Sequence, residues 1–149
     1  MKYVLFVCTH NAGRSQIAQA FFERHAPEDV RAESAGQAPA DAVWPEVVEA
    51  MREVGIDIGA ARPKGVAEFL GHLPVRHLII VCHDAAGRCP SVWPGVISRT
   101  YWPIEDPAAF RGDAAAALDR FRQARDEISA RLDEWLAERK AAARGVTAR

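Results

Sequence analysis

The sequence has almost no charge bias and no long apolar run. Its 149 residues include 19 Lys and Arg against 20 Asp and Glu, which gives a net charge of −1 at pH 7. Nucleic acids and anionic membranes are attracted mainly by an excess of positive charge, which this sequence does not have, so we expect neither partner. The N-terminal apolar stretch ends at Cys8, too short for a secretory signal, and no other run approaches the length of a membrane span. We therefore expect a cytoplasmic protein with a small-molecule substrate.

Cysteine is also scarce. The three thiols, Cys8, Cys82 and Cys89, are an odd number, and a reducing compartment disfavours a structural disulfide framework. We expect reactive thiols instead. Repeats and low-complexity segments are missing as well, and 49% hydrophobic residues suffice for a single core. We predict one domain over residues 1–140, a flexible C-terminal tail over 141–149, and a monomer.

Apolar periodicity predicts alternating strands and helices. Short apolar or β-branched runs indicate strands at residues 3–7, 30–34, 78–82 and 97–102. Helical spacing predicts helices that begin near Ser15 and Pro45, a short one near 66–70, and a long one from Asp113 to Lys140. The third strand is continuously apolar, as is typical of a parallel strand buried on both faces. We predict an α/β fold with a four-stranded parallel sheet, helices on both faces, and ligands at the carboxyl ends of the strands.

The most informative segment, Cys8-Thr9-His10-Asn11-Ala12-Gly13-Arg14-Ser15, joins the first strand to the first helix. The N–H groups of such a turn converge on one point, and the positive end of the helix faces the same point. Arg14 adds a planar fork of donors that suits two oxygens of a tetrahedral oxyanion. The same field favours thiolate over thiol at Cys8 and makes it a nucleophile. The alternative is a buried core cysteine beside an unrelated surface arginine.

Individual residues of this loop have expected roles. Gly13 would permit the tight backbone turn, and Ser15 would cap the helix or hydrogen-bond the Cys8 sulfur. His10 is expected to be a solvated loop residue, with tuning of Cys8 as the alternative. The predicted oxyanion-binding residues are Thr9, His10, Asn11, Ala12, Gly13, Arg14 and Ser15.

Two further thiols bracket a polar segment that can change shape at modest cost. Cys82 and Cys89 are separated by six residues, Gly87 among them. If Cys8 carries an oxyanion adduct, Cys82 can attack the Cys8 sulfur and release a reduced product. Cys89 can then take over the disulfide by thiol exchange, leaving a bond that an external dithiol protein reduces. The alternatives are a core residue with a chance surface thiol, or a metal site with His83, whose spacing is too wide for paired zinc ligands. We expect no metal.

Two carboxylates, Glu105 and Asp106, follow the fourth predicted strand in Trp102-Pro103-Ile104-Glu105-Asp106-Pro107, and either could face the Cys8 loop, with Asp106 the better candidate for a general acid. At a strand end Asp106 is placed to donate a proton to a departing hydroxide or alkoxide. The alternative is an Asp-Pro turn without chemistry.

The loop at 8–15, the Ser34-Ala35-Gly36 turn, the Cys82/Cys89 pair and Asp106-Pro107 together resemble the thioredoxin-coupled arsenate reductases. These enzymes share the flavodoxin-like fold of the low-molecular-weight protein tyrosine phosphatases, and the resemblance covers nearly the whole chain. It implies the following roles: Cys8 as nucleophile, Arg14 as oxyanion ligand, Asp106 as general acid, and Cys82 and Cys89 as relay thiols. It also implies arsenate as substrate, arsenite as product, a role in arsenical resistance, and electrons from reduced thioredoxin without a tightly bound cofactor.

The phosphatase branch shares the Cys8 loop and the Asp-Pro pair, so hydrolysis of phosphate monoesters through a phosphocysteine stays open, alone or as a weak side activity. Aromatic residues follow the Asp-Pro in those phosphatases, whereas Ala108 and Ala109 follow here, which favours the reductase. A non-enzymatic redox-sensing or anion-binding module is a third hypothesis, and no sequence feature specifically supports it.

The resemblance also concerns a potassium ion. Some members carry an acidic residue at the position of Gln19, where it helps bind potassium with residues that match Asn11 and Ser34. Gln19 lacks that charge.

Overall fold

Four parallel strands form one sheet, in the order β2-β1-β3-β4. The computed structural model describes residues 2–25, 27, 29–81 and 95–147. The strands are β1 (Lys2–Cys8), β2 (Val30–Gly36), β3 (Val75–Ile80) and β4 (Ser98–Tyr101). The strand order reverses between β1 and β3, so a crevice opens at the carboxyl end of β1, where Cys8 pairs with Gly36 of β2. The fold topology therefore places Cys8 where ligands of such sheets bind.

The described residues also form three α-helices and two short 3₁₀ turns. They are α1 (Arg14–His25), α2 (Pro45–Arg52), α3 (Ala114–Thr147), and 3₁₀ turns at Val66–Glu68 and Pro107–Ala109. The apolar residues whose spacing predicts α1 form its packed face, since Ile17, Phe21 and Phe22 are buried. Helix α2 begins at a proline, which suits the first helical position.

The two faces of the sheet are covered differently. One face packs against helices α1, α2 and α3, in a core that includes Phe6 of β1, Met51 of α2 and Ile128 of α3. The other face forms a smaller cluster around Leu5 and Leu78, covered in the described residues by the 3₁₀ turn at Val66–Glu68 and its flanking loop. The α/β fold class with a four-stranded parallel sheet is confirmed, but the described helical cover of the second face is a 3₁₀ turn instead of an α-helix.

Some predicted boundaries differ from the structure. Strand β3 begins at Val75, earlier than predicted, because His77 interrupts the apolar run but still pairs with Val4, and the pairing resumes at Val75 beyond a register shift at Arg76. The last helix runs past its predicted end at Lys140, since α3 continues to Thr147. The added residues begin with three alanines, the strongest helix formers, so the helix propagates beyond the part that packs on the core. The division into a domain over 1–140 and a flexible tail over 141–149 stays a prediction.

Among the helices of the described ranges, none combines the length and the apolarity that a membrane span needs.

Candidate active site

The Cys8 sulfur lies at the end of β1 and receives hydrogen bonds from its own loop. Cys8 is 2% exposed, its sulfur lies 2.8 Å from Ser15 Oγ, and the Asn11 amide donates to it at 3.3 Å. Ser15 Oγ in turn accepts from Asn11 Nδ2 at 2.7 Å, so the hydroxyl hydrogen is available to the sulfur. Two hydrogen-bond donors therefore converge on the Cys8 sulfur. Of the two roles predicted for Ser15, the structure shows the bond to sulfur.

The loop turns its carbonyls away from the sulfur. All six carbonyls from residue 8 to residue 13 accept hydrogen bonds, from Gln37 N, Ala38 N, Ala40 N, Gln16 Nε2, Trp44 N and Ile17 N. By contrast, the amides of Ala12, Gly13 and Arg14 reach no acceptor in the part of the chain that the structure describes. These amides stand at the start of α1, where the helix dipole also favours negative charge. The loop is therefore built to accept an anion.

Asn11 takes the strained position of this turn. Its φ is 52°, in the left-handed region that asparagine tolerates better than most residues. Its Oδ1 accepts from the Lys64 amide at 2.8 Å and from Gln16 Nε2 at 3.0 Å. The expectation that Gly13 supplies the conformational freedom is wrong, since the left-handed residue is Asn11. A Cβ at Gly13 would instead lie 2.9 Å from the Trp44 ring, so Gly13 makes room for that side chain.

The underside of the loop is closely packed. A Cβ on Gly36 would lie 2.8 Å from backbone atoms of Thr9, His10 and Asn11, a distance that real contacts do not allow. His10 is half-buried instead of freely solvated. Its Nδ1 donates to the Ala38 carbonyl at 3.1 Å, and its ring stands edge-on to Trp44. The contacts leave the loop little freedom to change shape.

Arg14 links the loop to the segment that follows β4. The side chain is 2% exposed, its Nη1 donates to the Ile104 carbonyl at 2.8 Å, and its Nη2 lies 3.8 Å from Asp106 Oδ2. Asp106 accepts from the Ala108 amide at 3.0 Å through Oδ1, which caps the 3₁₀ turn, and remains 28% exposed. Asp106 therefore caps the 3₁₀ turn through Oδ1 and faces Arg14 of the Cys8 loop through Oδ2.

The structure thus brings together the predicted loop at 8–15 and Asp106. Cys82 and Cys89 lie outside the described residues. Three contributors to the site were missed: Gln16, Trp44 and Lys64. Gln16 is a polar residue in the first turn of an apolar helix, a weak signal, whereas Trp44 and Lys64 reach the loop from distant parts of the chain and leave no local signal.

The residues that match potassium ligands do not fit the ion here. Asn11 Oδ1 already accepts two hydrogen bonds, and Gln19 Oε1 accepts from Ser34 Oγ. The Lys64 ammonium lies 3.3 Å from Gln19 Oε1 and 3.4 Å from Ser34 Oγ, so a positive charge already faces these oxygens. Burial lowers the pKa of Lys64, and the nearby Glu33 carboxylate opposes that shift.

A cavity of about 530 Å³ adjoins the site. Its walls include Asp106, Phe110, Arg120 and Glu127, so it is open to the carboxylate that faces the loop.

Comparison with known proteins identifies the family. Residues 3–144 match the family model of the low molecular weight phosphotyrosine protein phosphatases. The chain belongs to this family. It is 34% identical over 135 residues to the arsenate reductase of Bacillus subtilis strain 168, which covers 90% of this chain and 94% of that protein.

Solved structures agree with this family assignment. An arsenate reductase in a phosphate-binding state superposes with a TM-score of 0.77 at 27% identity, covering 93% of this chain and 98% of the other. The thioredoxin-dependent arsenate reductase of Corynebacterium glutamicum gives a TM-score of 0.70 at 27% identity, over 95% of this chain and 63% of that one. The family therefore contains reductases and phosphatases of this fold, and the chain is an enzyme of the same kind.

Proposed function

We propose that the protein reduces arsenate to arsenite with Cys8 as the nucleophile. The supporting observation is the environment of the Cys8 sulfur, where Ser15 Oγ lies at 2.8 Å and the Asn11 amide at 3.3 Å, in a loop whose Ala12, Gly13 and Arg14 amides reach no acceptor among the described residues. Such a loop binds a tetrahedral oxyanion and activates the thiolate with the same groups. Arg14 and Asp106 complete the set, as oxyanion ligand and general acid.

The chemistry begins with substitution at arsenic. The Cys8 thiolate attacks As(V) and forms an S–As bond, while Asp106 protonates the departing hydroxide, which leaves as water. The thiolate of Cys82 then attacks the Cys8 sulfur. The S–As electron pair stays on arsenic, which leaves as As(III), and a Cys8–Cys82 disulfide remains. Two electrons have moved from two thiols to arsenic.

Regeneration uses the third thiol. Cys89 attacks the Cys82 sulfur, which frees the Cys8 thiolate and leaves a Cys82–Cys89 disulfide. Reduced thioredoxin then returns this pair to thiols through its own dithiol. The thioredoxin-dependent relative from Corynebacterium glutamicum supports this choice of electron donor. The presence of three cysteines, together with relatives that are arsenate reductases, favours reduction over hydrolysis.

A second candidate is hydrolysis of phosphate monoesters. It needs Cys8, Arg14 and Asp106 but no relay, because water releases phosphate from a phosphocysteine. The cavity of about 530 Å³ beside Asp106 favours this candidate, since a leaving group needs space next to the acid that protonates it. Arsenate and phosphate are near-isosteric, so we expect weak phosphatase activity even if reduction is the main role.

One experiment separates the candidates. Arsenate-dependent NADPH oxidation is measured with thioredoxin and its reductase, beside hydrolysis of an aryl phosphate, for the wild type and Cys89→Ser. A reductase loses arsenate turnover in the variant while its aryl phosphate hydrolysis persists. Phosphate release without arsenate reduction, unchanged in Cys89→Ser, would instead identify a phosphatase.

A further inference from the structure

A partly buried ammonium group lies behind the Cys8 loop. The Lys64 side chain is 13% exposed, and its Nζ lies 3.3 Å from Gln19 Oε1, 3.4 Å from Ser34 Oγ and 3.8 Å from Glu33 Oε2. Gln19 is oriented for this contact, because its amide nitrogen donates to Glu23 Oε1 at 2.9 Å and leaves its oxygen facing inward. The three oxygens form a cation site that the chain fills with its own lysine.

The same residue is attached to the loop through its backbone. The Lys64 amide donates to Asn11 Oδ1 at 2.8 Å, and its carbonyl accepts from the Gly36 amide at 2.8 Å. Asn11 in turn holds the nucleophile, since its Nδ2 donates to Ser15 Oγ and its backbone amide donates to the Cys8 sulfur. A continuous chain of hydrogen bonds therefore joins the lysine backbone to the nucleophile.

We propose that Lys64 is a positioning residue, a built-in cation that fixes Asn11 and Ser15 against the Cys8 sulfur and makes the enzyme independent of potassium. Loss of the ammonium leaves Gln19, Ser34 and Glu33 facing one another without a positive charge. The segment that carries the Lys64 amide then loses its side-chain anchor, so the bond from that amide to Asn11 Oδ1 is held less firmly, and the bond from Gln16 Nε2 is left as the other restraint on Asn11 Oδ1. Only the turnover part of this inference rests on the proposed function, since the state of the Cys8 thiol is independent of the substrate.

Two variants separate the charge from the space it occupies. Lys64→Met keeps most of the stem and removes the charge, whereas Lys64→Ala also opens a gap among the three oxygens. Lys140→Gln, at an exposed position of α3, controls for removal of a lysine charge. The first readout is the rate of Cys8 alkylation, followed by peptide mass spectrometry so that Cys82 and Cys89 are scored separately. The second is arsenate turnover as potassium replaces tetramethylammonium at constant ionic strength.

The expected results are specific to a positioning role. Alkylation of Cys8 falls roughly three- to tenfold in Lys64→Met and Lys64→Ala, the ratio that corresponds to one neutral hydrogen bond, and is unchanged in Lys140→Gln. Potassium leaves the wild type unaffected, restores Lys64→Ala in part, and does not restore Lys64→Met, whose side chain fills the gap. Thermal melting of each variant, with and without potassium, identifies any variant that is simply unfolded.

Two results would overturn the inference. One is activation of the wild type by potassium, and the other is a Cys8 alkylation rate in folded Lys64→Met equal to that of the wild type. If only the proposed function is wrong, the result differs. Neither the wild type nor any variant then turns over arsenate, but the alkylation of Cys8 is still slower in the two Lys64 variants than in the wild type and Lys140→Gln.

Discussion

Replacing Ser15 by alanine is the sharpest perturbation of the nucleophile. Ser15 is fully buried, and its Oγ lies 2.8 Å from the Cys8 sulfur. The change removes one of the two donors to the sulfur and leaves Asn11 Nδ2 without its acceptor. A hydrogen bond to a charged group contributes about 1.5–3 kcal/mol, so the rate at which Cys8 reacts as a nucleophile should fall roughly ten- to hundredfold.

The assay is alkylation of Cys8 by iodoacetamide near neutral pH, resolved by peptide mass spectrometry, with thiolate ultraviolet absorbance as a second readout. Ser129→Ala is the matched control, because Ser129 is a partly buried serine on α3, outside the Cys8 loop. We expect the control to react like the wild type. Arsenate turnover of Ser15→Ala should fall together with its alkylation rate.

An alkylation rate within twofold of the wild type, in a folded Ser15→Ala protein, would refute the reasoning. The thiolate would then depend on the loop amides and the helix dipole without the hydroxyl. The distance between Ser15 Oγ and the sulfur would in that case reflect packing only.

Other predictions concern the acid, the floor of the loop and the response to pH. Asp106→Asn keeps the cap on the 3₁₀ turn and removes the proton, so turnover should drop about 10²–10⁴-fold while phosphate still protects Cys8 from alkylation. Gly36→Ala places a Cβ 2.8 Å from three backbone atoms, so it should lower the free energy of unfolding, measured by urea titration, by about 1–3 kcal/mol. Gly65→Ala is the control, because its Cβ meets only a proline ring at 3.6 Å, and its free energy of unfolding should be nearly that of the wild type. Burial, with Arg139 and Lys2 nearby, lowers the pKa of His77 from 6.5 to about 4. As pH drops from 6.5 towards 4, the unfolded chain therefore binds a proton at His77 before the folded protein does, and the free energy of unfolding should fall. His77→Phe should remove this pH dependence of stability, whereas His72→Phe, at an exposed position, should leave it unchanged.

The local parts of the site could be predicted from the sequence. Cys8, the turn and the start of α1 are consecutive, so strand, small-residue loop and helix follow from patterns over short distances. Asp106 could be placed at the same edge because parallel strands end there together. The sequence also predicts the parallel sheet itself, from the continuous apolar run of β3.

The parts that could not be predicted depend on long-range contacts. Lys64 contacts Asn11 across 53 residues, and nothing in its own segment indicates a partly buried ammonium. The close approach of Gly36 to the loop likewise depends on the pairing of β1 with β2. Asn11, and not Gly13, adopts the left-handed conformation, because hydrogen bonds to the Asn11 side chain compensate the backbone strain. These hydrogen bonds depend on tertiary structure, so the sequence does not reveal them.

A single turnover without any external reductant tests the central claim most directly. The reduced protein is mixed with a slight excess of arsenate, arsenite is quantified, and disulfides are mapped by peptide mass spectrometry, with Cys8→Ser as the control. We predict about one arsenite per chain and a disulfide between Cys82 and Cys89 in the wild type, with neither in the control. Free thiols and no arsenite in the wild type, or arsenite formed by Cys8→Ser, would contradict the account.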